Sequence, residues 1–305
     1  MSKIVVTGGS GFIGSHVVDA LADTGHEVTV LDHRVKPQRG DVAFEDVDLL
    51  DLSSVLAATR GAEFVFHLAA ESNVNRAHRY PIHTLALNVM GTGNVLEAAR
   101  INGARRVLLA STVWVYNRTP AERIADETTP FPLDGAGHVY TSSKMAAEMA
   151  CHNYRELYGV PFTILRYGIP YGPRMREELL IPAFIRRALS GEPLLVSGDG
   201  SQYPSVLYVA DLAAAHLRAL RTEAANQVYN LEGPRPVTVI EVAQRIRSLL
   251  GDAVQIELVP GRAGDFAGRQ VSVAKASREL GWEPEVDFDE GLFETIAWFR
   301  KKWGL

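Results

Sequence analysis

Residues 7–14 read TGGSGFIG. They follow a short β-branched run, KIVVT at 3–7, and lead into a helical pattern at 12–23. Gly9, Gly11 and Gly14 fit G-x-G-x-x-G, while Gly8, Gly11 and Gly14 fit G-x-x-G-x-x-G. A strand, a glycine turn and a helix in that order let the backbone approach a pyrophosphate. The free N–H groups of the helix N-terminus point at the same place. The next strand-like run, HEVTVLD, ends on Asp32. A carboxylate there accepts bonds from both hydroxyls of an adenosine ribose and repels a 2′-phosphate, which predicts NAD over NADP. Arg34 and Lys36 stand close by and weigh the other way.

The alternation continues beyond this first unit. Strand-like runs lie at 3–7, 27–32, 43–48, 63–68, 106–111 and 161–166, and helical segments at 12–23, 81–102 and 140–158. Gly25, Gly61, Gly103 and Gly159 fall near segment ends, where helices stop. Alternating strands and helices predict an α/β fold of the Rossmann kind, a doubly wound parallel sheet covered on both faces. After 167 the alternation breaks down around Pro170, Pro173, Pro182, Pro193 and Pro204. Residues 1–167 therefore read as the NAD-binding domain and 168–305 mostly as a smaller C-terminal α/β substrate lobe. The segment 205–230 is expected to return to the first domain, because LYVADLAAAHLRAL has the form of another strand–helix unit. The last stretch, ending AWFRKKWGL, reads as an amphipathic helix on the second lobe.

Composition narrows the partners. The net charge of −5 comes without a basic tract interleaved with aromatics, so nucleic acid is not an expected partner. No apolar run approaches the roughly 20 residues of a membrane span, and no polybasic anchor is present. The first glycines come too early for a signal peptide's apolar region. Cys151 is the only cysteine, so no internal disulfide can form, and a cytoplasmic setting is expected. Cys151 itself reads as a packed helix residue. His16, His78, His83, His152 and His216 share no metal-ligand spacing with cysteines or acids, and no metal is expected. His67 ends a strand beside the expected cofactor, and His138 reads as a surface residue.

The stretch HVYTSSK at 138–144 sets Tyr140 four places before Lys144, on one face of a helix. A phenol with a pKa near 10 is a poor base at neutral pH. A neighbouring ammonium, helped by the positive charge of a nicotinamide, stabilises the phenolate. Tyr140 is then expected to take the proton of a substrate alcohol as hydride leaves its carbon. Lys144 is also placed to hold the nicotinamide ribose.

Several further motifs, in order, carry a resemblance: HLAA at 67–70, NVMGTGNVLEAAR at 88–100, STVWVY at 111–116, LRYGIPYGPR at 165–174, GDGSQ at 198–202, RAGD at 262–265 and LGWEP at 280–284. Together with TGGSGFIGS and YTSSK, the chain resembles the extended short-chain dehydrogenase/reductase family. Within it, the likeness is to the nucleotide-sugar epimerase/dehydratase branch and its UDP-glucose 4-epimerases. The resemblance implies NAD on Gly8, Gly11, Phe12, Ile13 and Gly14, with Asp48 and Leu49 flanking the adenine. It implies Leu68, Ala69 and Ala70 beside the cofactor, Tyr167 near the nicotinamide and Asn88 near the active site. Thr112, four residues before Tyr116, is implied to bond the reacting sugar oxygen, and Arg262 to hold a substrate phosphate. Relatives often pair as homodimers through the two helices that correspond to 81–102 and 140–158.

The same resemblance bears on the reaction. The 4,6-dehydratases carry Asp-Glu directly after the threonine, and uronic acid decarboxylases often carry a glutamate at the second position. Here the residues are Val113 and Trp114. An epimerase needs no such extra group: hydride leaves C4, the 4-keto sugar turns over, and hydride returns to its other face. A nucleotide-sugar 4-epimerase is therefore expected. Dehydratase, decarboxylase, keto-sugar reductase and a dinucleotide-sensing regulator remain as alternatives. The chain departs from the family's polar pattern at Ile169, Pro204 and Ala77, which replace an asparagine, an arginine and a serine. Arg174 and Arg176 are further candidates for a phosphate contact, though they read rather as solvated loop charges.

Overall fold

The computed structural model describes residues 1–120, 122–131, 136–202, 206–251, 253–260 and 270–305. The positions of Pro204 and Arg262 lie outside the described residues. The strands are β1 (Lys3–Thr7), β2 (Glu27–Asp32), β3 (Ala43–Asp46), β4 (Phe64–His67), β5 (Arg106–Thr112) and β6 (Phe162–Tyr167), followed by β7 (Ile169–Tyr171), β8 (Leu194–Ser197), β9 (Val206–Tyr208), β10 (Gln227–Leu231) and β11 (Ile256–Val259). Seven form one parallel sheet in the order β10-β6-β5-β4-β1-β2-β3. The chain leaves β1 toward β2 and β3, then crosses back to β4 and runs outward to β10. Neighbouring connections therefore diverge above the carboxyl ends of β1 and β4, where an open α/β sheet offers a crevice.

The two-residue side-chain period of β1 explains the layers on either side. Ile4 and Val6 point to one face and pack with Val17 and Leu21 of helix Phe12–Asp23 and with Leu212 and Ala215 of helix Val209–Arg218. Val5 points to the other face, with Val95 and Leu96 of helix Gly91–Asn102 and Ala147 and Cys151 of helix Val139–Tyr158. Cys151 is thus a core residue, and burial pushes its thiol pKa up. A separate apolar cluster joins Phe184, Val196, Ile246, Leu292 and Phe299, which seats the C-terminal helix Phe288–Trp303 against helices Leu180–Leu189 and Val239–Leu250. Among the described residues, no helix is long and apolar enough to cross a membrane.

The structure moves several boundaries. β3 stops at Asp46 rather than 48, because Asp48 opens a turn: its carboxylate accepts from Leu50 N at 2.9 Å and its carbonyl from Asp51 N at 3.0 Å. β5 and β6 each run one residue further than expected, so that Thr112 and Tyr167 end as ladder partners. The segment expected as one helix over 81–102 is three pieces: Pro81–Leu85, a wide π turn at Ala86–Met90, and Gly91–Asn102. The cause is Asn88, whose side chain is drawn inward to Glu71 and Ser143 while its carbonyl accepts from the Thr92 hydroxyl at 2.6 Å.

Two imidazoles are buried neutral. His216 donates from Nδ1 to the Leu212 carbonyl at 2.8 Å and accepts the Tyr167 hydroxyl at Nε2, 2.7 Å away. Burial pushes its pKa down to about 4, and that of His67 down to about 3. Both folded-state values lie below the unfolded one near 6.5. The unfolded chain therefore binds more protons as pH falls from 6.5, and stability present above that pH is lost below it. The expected loss is about 2 kcal/mol per ring by about pH 5. Urea denaturation at stepped pH measures it, and a flat profile between pH 7 and 5 would contradict the burial argument.

Candidate active site

A cavity of about 1050 Å³ opens at the crevice above β1 and β4. The glycine loop forms its floor. Gly8 has φ +70°, and a Cβ there would meet the Ala69 backbone at 2.7 Å. A Cβ on Gly14 would run into the Gly8 carbonyl. Loop, strand end and helix are therefore packed backbone on backbone, which only glycine permits. Gly11 is the N-cap of helix Phe12–Asp23, with no side chain capping the first turn. Gly8, Gly11, Phe12, Ile13 and Gly14 all line the cavity, so the helix N-terminus presents its N–H groups to it. A pyrophosphate fits this cradle.

The adenosine end is equally defined. Asp32 ends β2 on the cavity wall, with Asp48 and Leu49 alongside. Its Oδ2 accepts from Ser10 N at 3.1 Å and its Oδ1 from His33 N at 2.9 Å. Burial raises the Asp32 pKa, and these N–H bonds work against that rise. Leu68, Ala69 and Ala70 carry the wall on from β4.

Tyr140, Lys144, Thr112 and Tyr167 meet at the other end of the same cavity. Lys144 is 3% exposed, and its Nζ donates to the Ala110 carbonyl at 2.9 Å. Burial pushes its pKa down to about 8, while the Glu148 carboxylate pulls the other way. Tyr140 is half-buried, and its pKa is pushed up to about 12 by burial, against a hydrogen bond with Thr112 and the charge of Arg176. The sequence expectation assigns the lowering of the phenol's pKa to the Lys144 ammonium together with a bound nicotinamide; in the chain alone, burial prevails.

Other expected residues fall elsewhere. Asn88 does not line the cavity. It stands behind the wall, where its Oδ1 accepts from Glu71 N at 2.8 Å and its Nδ2 donates to the Ser143 hydroxyl at 2.9 Å. Ser143 in turn donates to the Tyr140 carbonyl at 2.7 Å, so Asn88 ties the loop after β4 to the Tyr140 helix. His67 is also behind the wall. Ala69 N donates to Thr7 Oγ1 at 3.3 Å, Thr7 to His67 Nδ1 at 2.8 Å, and His67 Nε2 to Thr92 Oγ1 at 2.9 Å, because the Thr92 proton is taken by the Asn88 carbonyl. Ala77 is buried in the short helix Val74–Arg79, away from the cavity. Ile169 does line it and makes that part of the wall apolar.

The two loop arginines separate. Arg174 pairs with Asp19 at 2.6 Å on the first helix, where His16 Nε2 also bonds the Pro173 carbonyl at 2.9 Å. Arg176 lines the cavity with its side chain still 39% exposed, and it pairs with Glu178 at 3.7 Å. The sequence reading names it as a candidate beside Arg174 but favours a solvated loop charge for both. His138, expected on the surface, is half-buried. It caps the Tyr140 helix by accepting from Thr141 N at 3.3 Å, and its ring lies 4.9 Å from that of Trp114. Trp114 lines the cavity and meets Tyr140 edge-on at 6.2 Å, whereas Val113 is buried and does not reach it.

Comparison with known proteins agrees with this geometry. The sequence model of the NAD dependent epimerase/dehydratase family matches residues 4–231. UDP-N-acetyl-alpha-D-glucosaminuronate decarboxylase of Bacillus cytotoxicus is 33% identical, over 98% of both chains. The crystal structure of UDP-glucose 4-epimerase from Thermotoga maritima with UDP-glucose superposes with TM-score 0.92 at 31% identity, covering 99% of each chain. UDP-glucuronic acid 4-epimerase from Bacillus cereus, in complex with UDP-glucuronic acid and NAD, gives 0.87 at 26% identity, with 98% of this chain and 99% of that one covered. The chain belongs to the NAD-dependent epimerase/dehydratase family, the nucleotide-sugar branch of the extended short-chain dehydrogenases/reductases, and is an enzyme that works with NAD.

Proposed function

We propose that this enzyme is a nucleotide-sugar 4-epimerase. The observation that carries the reading is the wall beside Thr112. Where a dehydratase holds an acid and a base, Val113 is buried out of reach and Trp114 presents an indole. Tyr140 is then the proton carrier, with Thr112 bonded to it and Lys144 beneath. Bound NAD supplies the hydride acceptor and donor, together with the positive charge that a buried phenol at about 12 requires. Tyr140 takes the proton of the sugar C4 hydroxyl and returns it after the 4-keto sugar has turned. Leu68 and Ile169 give part of the wall no hydrogen-bonding side chain, so the sugar ring can turn against an apolar surface. Residues 168–305 mostly supply the sugar side in this reading, with 205–230 returning to the dinucleotide domain.

Arg176 favours a second reading within the same chemistry. A cation on the wall, near enough to act on Tyr140 and held at 3.7 Å by the exposed Glu178, suits a sugar whose C6 carboxylate takes the place of that partner. Oxidation at C4 makes such a uronic acid a β-keto acid, which loses carbon dioxide readily. NMR of UDP-glucose, UDP-glucuronic acid, UDP-N-acetylglucosamine and dTDP-glucose incubated with enzyme and NAD separates the readings. Inversion at C4 without net NADH is the expected result. A UDP-pentose would establish a decarboxylase, a 4-keto-6-deoxy sugar a dehydratase, and no turnover by NAD-bound protein a sensor.

We also propose a homodimer. Ile82, Met90, Met149 and Leu157 are 76%, 64%, 50% and 68% exposed, and all lie on the helical segments expected to pair. Replacing Ile82 and Met149 together by aspartate is expected to convert a dimer to a monomer in analytical ultracentrifugation. A monomeric parent protein would end this proposal.

A further inference from the structure

Three consecutive residues of β5 grip one face of helix Val139–Tyr158. Thr112 bonds Tyr140, the Ala110 carbonyl accepts from Lys144, and Ser111 Oγ donates to Glu148 Oε1 at 2.5 Å. Tyr140, Lys144 and Glu148 are spaced four apart, so they stack along that face. Glu148 is 1% exposed and meets Arg166 of β6, itself 4% exposed, with Nη2–Oε2 at 2.6 Å and Nε–Oε1 at 3.0 Å. Arg166 also donates to the Tyr116 hydroxyl, which donates to Asn230 Oδ1 at 3.0 Å. Its guanidinium lies between the Tyr116 and Phe131 rings, 5.1 and 5.4 Å from their centres.

A buried ion pair is weak evidence of a stability role, because apolar replacements of equal volume are often as stable. Its position suggests another. The titratable groups that act on Lys144 are Glu148 and Cys151 on its own helix and His67 on β4, while Arg166 of β6 bears on Glu148, and Tyr167 of β6 and Arg176 from the loop after β7 bear on Tyr140. Glu148 is the carboxylate among them. We propose that Glu148, paired with Arg166, is a positioning residue that keeps Lys144 charged and in register beneath Tyr140. Neither residue lines the cavity, so both act through Lys144. This rests on the reading of Tyr140 as the proton carrier.

The test is an ultraviolet difference titration of Tyr140 in the NAD complex, with Tyr140→Phe as the blank. It needs no sugar, so a wrong substrate reading does not affect it. The double variant Glu148→Gln/Arg166→Met removes both charges at nearly constant volume. It is expected to bind NAD and to ionise Tyr140 about one pH unit higher than the parent. Glu148→Asp keeps the charge and is expected to titrate within a few tenths of the parent. An unshifted double variant overturns the proposal. So does a Glu148→Asp shift as large as the double variant's, which would mark a packing role. If the double variant does not bind NAD, Glu148→Asp decides: a shift within a few tenths of the parent supports the proposal, and a shift of about one pH unit overturns it.

Discussion

Tyr140→Phe is expected to bind NAD as tightly as the parent enzyme and to turn over a nucleotide sugar about a thousandfold more slowly. The substitution removes one oxygen and keeps the ring. The edge-on contact with Trp114 and the helix capped by His138 depend on the ring and the backbone, so both persist. What is lost is the hydroxyl beside Thr112, the group proposed to exchange a proton with the sugar hydroxyl. Fluorescence titration with NAD and NMR of the sugar measure the two halves separately. Turnover within about tenfold of the parent would remove Tyr140 from the chemistry.

Gly14→Ala has the largest expected effect on cofactor binding. Its Cβ would run into the Gly8 carbonyl oxygen, and Gly8 has little room to retreat because the Ala69 backbone lies 2.7 Å from where a Cβ on Gly8 would stand. Either the helix start or the strand end must move, and both form the cradle. We expect a loss of about 1–3 kcal/mol in folding stability and NAD affinity reduced by about a hundredfold. Gly40→Ala serves as the control, since nothing lies within 4 Å of a Cβ there. NAD affinity within about threefold for Gly14→Ala would mean that the cradle does not hold the pyrophosphate.

The parts of this site that were legible in the sequence are those fixed by local backbone needs. A glycine loop between strand and helix, an acid at the end of the second strand, and a tyrosine four before a lysine announce themselves within a few residues. The rest depends on register between distant segments. Thr112 and Tyr167 come side by side only because the β5–β6 ladder runs one residue longer than the apolar pattern suggested. Nothing in the local spacing marks Glu148, and only β6 brings Arg166 against it. Arg174 and Arg176 are two places apart in one loop, yet one fastens to Asp19 and the other faces the cavity. Spacing alone does not distinguish them, because the turn that separates them is set by packing against the first helix. Asn88 was placed at the cofactor by resemblance, but it acts one layer back, through hydrogen bonds that need the π turn to form.

That turn also says something about how such a chain can change. A π turn is an α-helix carrying one residue too many, and losing one residue lets it relax to regular helix with both flanks in place. A shortened descendant would keep its sheet, its core and its cradle. Yet the amide of Asn88 would swing off the line that joins the loop after β4 to the Tyr140 helix. Evolution could therefore silence the catalytic end by a one-codon loss while the protein went on holding its dinucleotide.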